Sequence, residues 1–237
     1  MIVSIMQPAY LPWLGYFERI AMSDLHIVLD HVAIDANSKT KFANRNKIRT
    51  PEGWCWLTVP LKSKGKHGEL YLNEAEVGDD PKWAQKHWGS LRVNYARAPH
   101  FPAHKEFFEG VFARPWGKLH DLLRETTGYL RSSLNLQTKI VFSSELAVEG
   151  QKDELILNLC RNAGATTYIS GPFGRDYLDE AAFRNEKIEI VYHEYEHPTY
   201  PQAFPGFEPY MSVVDLLFNC GPESLNILTK GRFPRQA

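Results

Sequence analysis

The feature that most constrains this chain is its first thirty residues. IVSIM (2–6) is a short apolar run that is β-branched at its start, as a buried parallel strand requires. The turn QPAYLPWLGYFERI follows, with Pro8, Pro12 and Gly15 leading into YFERIAMSD, where Phe17, Ile20 and Ala21 share a helical face. LHIVLD (25–30) is a second strand. Strand, special turn, helix, strand is a βαβ unit, and it commits the chain to a parallel sheet covered by helices.

The rest of the chain repeats that alternation around a different middle. KTKFANRNKIR (39–49) carries five cations and no acid and reads as a basic loop. WCWLTVPL (54–61) is an aromatic strand, followed by the basic loop KSKGKHGE. Residues 81–134 are mainly helical by composition, with breaks at Pro99, Pro102 and Pro115. Strands are expected at 139–146, 166–171 and 188–195, and helices at 149–164, with Gly164 as C-cap, and 174–188. HPTYPQAFPGFEPYM is an aromatic loop, and SVVDLLFNCGPES is a closing helix stopped at Gly221–Pro222. With no internal repeat, the expected fold is one α/β domain over 1–237. It is a three-layer αβα sandwich on a mainly parallel sheet, with a largely helical insertion at about 81–134.

Composition narrows the function classes. The 27 basic residues balance 28 acidic ones, so the whole surface is no broad nucleic-acid or anionic-membrane binder. Aromatic residues make up 13%, which suits a concave site lined with rings. Cys55, Cys160 and Cys220 are far apart and odd in number, which argues against a disulfide framework and a metal ligand set and fits a reducing compartment. The start lacks the basic and apolar regions of a secretory signal, and no run reaches the ~20 apolar residues of a membrane span. A cytoplasmic protein without membrane insertion is expected.

Four segments carry candidate chemistry. In an open parallel sheet, ligands sit at strand carboxyl ends, where a helix N-terminus offers free amides to an anion. Gln7, Tyr10 and Trp13 are therefore candidate pocket walls, and Gly15 a place where a phosphate approaches the backbone. The competing reading makes Pro12 and Gly15 a tight connection and the aromatics core. In the basic run, Lys41, Asn44, Arg45, Asn46 and Lys47 are candidates for phosphate binding, against the plain alternative of a solvated charged face. Ser170, Gly171, Gly174, Arg175, Asp176 and Tyr177 follow a strand and open a helix. They would orient a ribose, carboxylate or amine, unless Asp176 only caps the helix and Tyr177 packs. In the aromatic loop, His197 is a candidate general base, with Tyr200 and Gln202 beside it. Asp215, in the closing helix, either pairs with an arginine or serves a site. His87, Asn94 and Tyr95 are weaker candidates on one helical face. No nucleophile elbow, P-loop, G-x-G-x-x-G or H-E-x-x-H is present.

Trp13-Leu14-Gly15-Tyr16 is similar in place to the H-x-G-H motif of HUP-fold nucleotidylyltransferases and adenylate-forming ligases, with the glycine kept and both histidines replaced by aromatics. Neither aromatic stabilises phosphate charge as an imidazolium does, so the likeness implies a Rossmann-like, HUP-like fold rather than the activity.

QPAYLPWLGYFERI, FANRNKIRTPEGWCWLTVPL, HWGSLRVNYARAPHF, TTYISGPFGRDYLDE and HPTYPQAFPGFEPYMSVVDLLFNCGPES together resemble the WbqC-like family, in order and over nearly the whole chain. That resemblance implies a place in bacterial O-antigen or related surface-polysaccharide synthesis, with transfer of an aminoacyl group such as glycine. It supplies no catalytic residues. Joined to the site reading, it suggests an amide-forming transferase or ligase. Its substrates would be an amino acid and a nucleotide-linked amino sugar, with no resident cofactor indicated and ATP with Mg as the co-substrate if the acyl group is activated as an adenylate. Two other classes stay open: a module that binds a small RNA or tRNA end, and a non-catalytic scaffold for polysaccharide enzymes.

Overall fold

The computed structural model describes residues 1–34, 42–62 and 70–232. Its strands are β1 (Ile2–Met6), β2 (Leu25–Val28), β3 (Arg45–Thr50), β4 (Gly53–Thr58), β5 (Lys139–Phe142), β6 (Thr167–Ser170) and β7 (Glu189–Tyr192). β3 and β4 form a separate antiparallel hairpin. The other five make one parallel sheet in the order β5-β2-β1-β6-β7. The chain therefore builds outward from β1 to one side and then returns to its other side, which leaves a crevice at the carboxyl ends where the direction reverses.

Alternation along the central strands divides the two faces. Val3, Ile5, Leu25 and Ile27 point one way and pack with Leu155, Leu159 and Phe183 of α5 (Lys152–Asn162) and α6 (Glu180–Asn185). Ser4 and His26 point the other way, joined Oγ to Nδ1 at 2.8 Å, beneath the edge of Tyr16 from α1 (Leu14–Ala21). On this side the larger apolar cluster gathers α1 with α2 (Lys82–Tyr95), α3 (Phe101–Ala113), α4 (Leu119–Ser133), α7 (Val213–Cys220) and α8 (Ser224–Leu228). Helices thus lie on both faces of the sheet. Fully buried side chains such as Phe17, Ile27 and Phe218 are each worth about 1.5–3 kcal/mol of transfer free energy.

Local chemistry explains where the elements end. α2, α3 and α4 fall within residues 81–134, and Pro102 sits in the first turn of α3, where no amide donor is required. Gly164 takes φ +66° after α5, and the Ala165 amide donates to Cys160 O, closing the helix with a left-handed cap. Three expectations need correction. The basic run is no loop from residue 45 onward: Arg45–Thr50 is strand β3. No helix begins at residue 174. A 3-10 turn over Pro172–Asp176 stands there, and Asp179 rather than Asp176 accepts from the Ala181 and Ala182 amides to start α6. The β5 segment turns at Ser143 into a 3-10 turn, so the strand is half the length its apolar run suggests.

Candidate functional site

The turn after β1 is bound down from several directions. Leu11 adopts φ +42°, unusual for a residue with a side chain, and its carbonyl accepts from Asn46 Nδ2 at 2.7 Å. The Tyr10 amide donates to Phe42 O, and the Val213 amide donates to Pro12 O. Tyr10 is fully buried, with its hydroxyl 2.9 Å from His87 Nδ1. It anchors the turn rather than lining a pocket, which corrects its candidate role in nucleotide binding.

Above that anchored turn lies a cleft of about 410 Å³ at the carboxyl ends of β1, β6 and β7. Gln7, Trp13, Tyr16, Phe173 and Tyr195 are among its walls, and Gly171 comes close to Arg19. Gly15 is required here for a different reason from the expected one. A Cβ on it would fall 2.4 Å from the Trp13 indole and 2.9 Å from Tyr195, so the space the glycine leaves is filled by rings, not open to a phosphate.

The polar centre of the cleft comes from α1 and the end of β7. His193 Nε2 lies 2.7 Å from Glu18 Oε2, and both residues are buried. Arg19 Nε lies 3.4 Å from His193 Nδ1. An arginine nitrogen can only donate, so Nδ1 accepts and Nε2 carries the proton given to Glu18. The 3.4 Å contact is long, and the Nδ1 lone pair is held weakly. No acid forms an ion pair with Arg19 among the described residues, and burial works against its charge, lowering its pKa. The Tyr195 hydroxyl is buried with no hydrogen-bond partner among the described residues, and desolvation pushes its pKa up. An aromatic cleft with an unpaired guanidinium and a carboxylate-oriented imidazole can hold a ring-bearing anion beside a general base.

The other candidate residues lie elsewhere. Asn44 Nδ2 donates to Val59 O and Asn46 to Leu11 O, so both hold backbone rather than ligand. Arg45 and Lys47 lie over the rings of Trp56 and Trp54, at 4.4 and 4.8 Å, on the outer face of the hairpin. Arg49 is buried and donates to Gly53 O and Pro205 O. Lys41 lies outside the described residues. Ser170 is buried beneath Gly174, whose Cβ would fall 2.0 Å from its Oγ, so this glycine serves close packing. Arg175 pairs with Glu194 at 2.9 Å and touches the cleft only through it, while Asp176 and Tyr177 are exposed outside. Asn94 donates to Ser90 O on its own helix.

His197 is corrected as a base. Its Nδ1 donates to Pro198 O at 2.8 Å, its Nε2 is buried, and its ring is 5.1 Å from Tyr210. Burial lowers its pKa, and the ring packs the loop. Tyr200 and Gln202 are likewise struts. Both donate to Asp215 Oδ2, at 2.8 and 2.9 Å, while the Tyr95 hydroxyl donates to Oδ1 at 2.8 Å. Desolvation raises the pKa of Asp215, and these three donors oppose that shift.

Sequence reasoning missed Glu18, Arg19 and His193. The signals were present: two adjacent charges inside the apolar run of α1, and a histidine one residue past a strand end.

The sequence model of the WbqC-like protein family matches residues 7–227. The chain is also 35% identical over 236 residues, 99% of each chain, to "Uncharacterized protein Rv1507c" of Mycobacterium tuberculosis. No solved structure matches.

Proposed function

Because the chain belongs to the WbqC-like protein family, we propose that it joins an aminoacyl group, glycine being the simplest, to the amine of a nucleotide-linked sugar used in surface-polysaccharide assembly. The observation that carries this reading is the Glu18–His193 pair facing Arg19 in the crevice of the parallel sheet. Arg19 would hold a phosphate or carboxylate, with Trp13, Phe173 and Tyr195 against the rings of the nucleotide. His193 Nδ1 would take the proton as the amine nitrogen attacks the acyl carbon. The new C–N bond forms as the acyl carbon's bond to its adenylate or carrier breaks, and the leaving group departs with that electron pair. Glu18 would stabilise the imidazolium. The strand order also supports a HUP-type site for ATP as acyl activator.

Calorimetry and thermal shifts with ATP, nucleotide amino sugars and amino acids, singly and in pairs, test this. A ligand of the native state raises the melting temperature by mass action. Arg19→Ala is expected to weaken nucleotide binding by roughly 10–100-fold, the worth of a charge-assisted hydrogen bond. His193→Gln should keep binding and lose turnover by about 10²-fold or more. Silence across the whole panel overturns the reading and favours a scaffold.

A second reading, a module for a small RNA or tRNA end, is favoured by the hairpin. Trp54 and Trp56 are 44% and 37% exposed, with Lys47 and Arg45 over their rings. Stacking platforms for single strands combine these groups. Steeply salt-dependent affinity for an RNA 3′ end, lost on Trp54→Ala, distinguishes it from the first.

A further inference from the structure

A second cavity, of about 240 Å³, lies on the other side of the β1–α1 turn, with Pro8 and Tyr16 as the wall it shares with the cleft. Its floor is sheet, from Val28, Ile140 and Phe142, and its far wall is α4. His120, Arg124, Thr127, Gly128 and Arg131 recur there at helical spacing, so one stripe of α4 faces the floor.

The two arginines of that stripe differ. Arg124 is committed: its Nη1 donates to Glu145 at 2.8 Å, and its guanidinium lies 4.0 Å from the Phe142 ring centre. Arg131 has a buried Nε with no hydrogen-bond partner and no ion pair among the described residues. A buried donor left unmade costs about 1–3 kcal/mol, more when charged, and such exceptions call for an explanation. Beside it, nothing lies within 4 Å of where a Gly128 Cβ would stand, so the helix leaves open space at this point.

We propose that this groove is a binding site for a small amphipathic anion: a carboxylate or phosphate monoester docked on Arg131, carried by an apolar body of about one ring that lies on Val28, Ile140 and Phe142. A planar fork suits either anion, and the floor offers no polar group that would reward a hydrophilic body. The volume falls below the ~300–1,000 Å³ of sites for drug-sized ligands, which limits the occupant to a small molecule. The site is independent of the amide-forming reading, although an occupant would touch the other side of Tyr16.

The test is calorimetry of the full chain with benzoate, phenyl phosphate, phenol and inorganic phosphate. At least one of the two ring-bearing anions should bind, and phenol and inorganic phosphate should bind at least tenfold more weakly. Arg131→Gln should weaken the anion tenfold or more. Gly128→Leu, whose Cβ has open space around it and whose longer side chain reaches into the groove, should block it while the melting temperature holds. Arg19→Ala, in the other cleft, should remove at most a separate binding event and leave the Arg131-dependent event unchanged. Binding of neither anion, no binding event lost in both groove variants, or loss of that same event with Arg19→Ala overturns the assignment.

Discussion

Glu18 and His193 stand 175 positions apart in the chain and 2.7 Å apart in space, and the acid fixes which nitrogen of the imidazole keeps its proton. Glu18 comes from a helix that the first strand launches, His193 from the residue after the last strand. The parallel sheet is what brings them together.

Substituting Glu18 separates orientation from packing. In Glu18→Gln the side-chain amide can present its nitrogen to Nε2, which then accepts and shifts the proton to Nδ1. Turnover should fall by about 10²–10⁴ while ligand affinity stays within threefold. Imidazole nitrogen shifts in NMR would report the tautomer directly. An unchanged tautomer with unchanged turnover would remove His193 from its assigned role. Glu18→Ala leaves Nε2 buried and unpaired and should cost about 1–3 kcal/mol by urea unfolding.

Gly15 and Trp13 should behave as a coupled pair. Gly15→Ala puts a methyl 2.4 Å from the indole and should destabilise by about 1–3 kcal/mol, with a change in tryptophan emission. Trp13→Ala should absorb most of that penalty, so the double-mutant cycle should give an interaction of at least about 0.5 kcal/mol. Additive effects would mean that the indole does not rest over the glycine in solution.

Acid should weaken the fold well above the carboxylate range. Burial lowers the pKa of His26 to about 3, helped by nearby Arg19, and burial lowers that of His87 to about 4, both from 6.5. The fold therefore holds these rings neutral, while the unfolded chain binds their protons below pH 6.5. Their contribution is complete above that pH and is lost as pH falls toward 4 and 3. Each proton is worth about 1.4 kcal/mol per pH unit, so urea-derived stability should drop by roughly 2 kcal/mol per unit between pH 6 and 4.5. His104 and His197, also lowered by burial, act in the same direction. His87→Gln should remove about one proton from the slope, and a flat profile would contradict the burial of both rings.

The parallel strands were legible in the sequence because a strand covered on both faces is mostly apolar, as IVSIM is but for Ser4. The helices of 81–134 were legible from composition, and Pro99 and Pro115 do fall between them, while Pro102 lies in the first turn of α3. The hairpin was not. RNKIRT reads as a charge run until GWCWLT pairs with it and sorts its residues, Ile48 and Asn46 inward and Arg45 and Lys47 outward onto tryptophans. Asp215 was ambiguous for a similar reason: its partners Tyr95, Tyr200 and Gln202 come from another helix and a loop, and no local pattern predicts their meeting. Gly15 suggested a phosphate because the cause, an indole two residues earlier folding back, leaves no mark on spacing.

The tethers on the Gln7–Trp13 turn also set a schedule. Its partners are Phe42, Asn46, His87, Ser212 and Val213, so the turn is made about two hundred residues before its last tethers. A ribosome adding about 5–20 residues per second leaves it waiting roughly ten to forty seconds before residue 213 is made. Throughout that interval the nascent chain carries Tyr10, Leu11 and Trp13 without the groups that cover them. The cleft is acquired only once α7 has been made, and a chain stalled short of α7 would emerge with this aromatic turn bare.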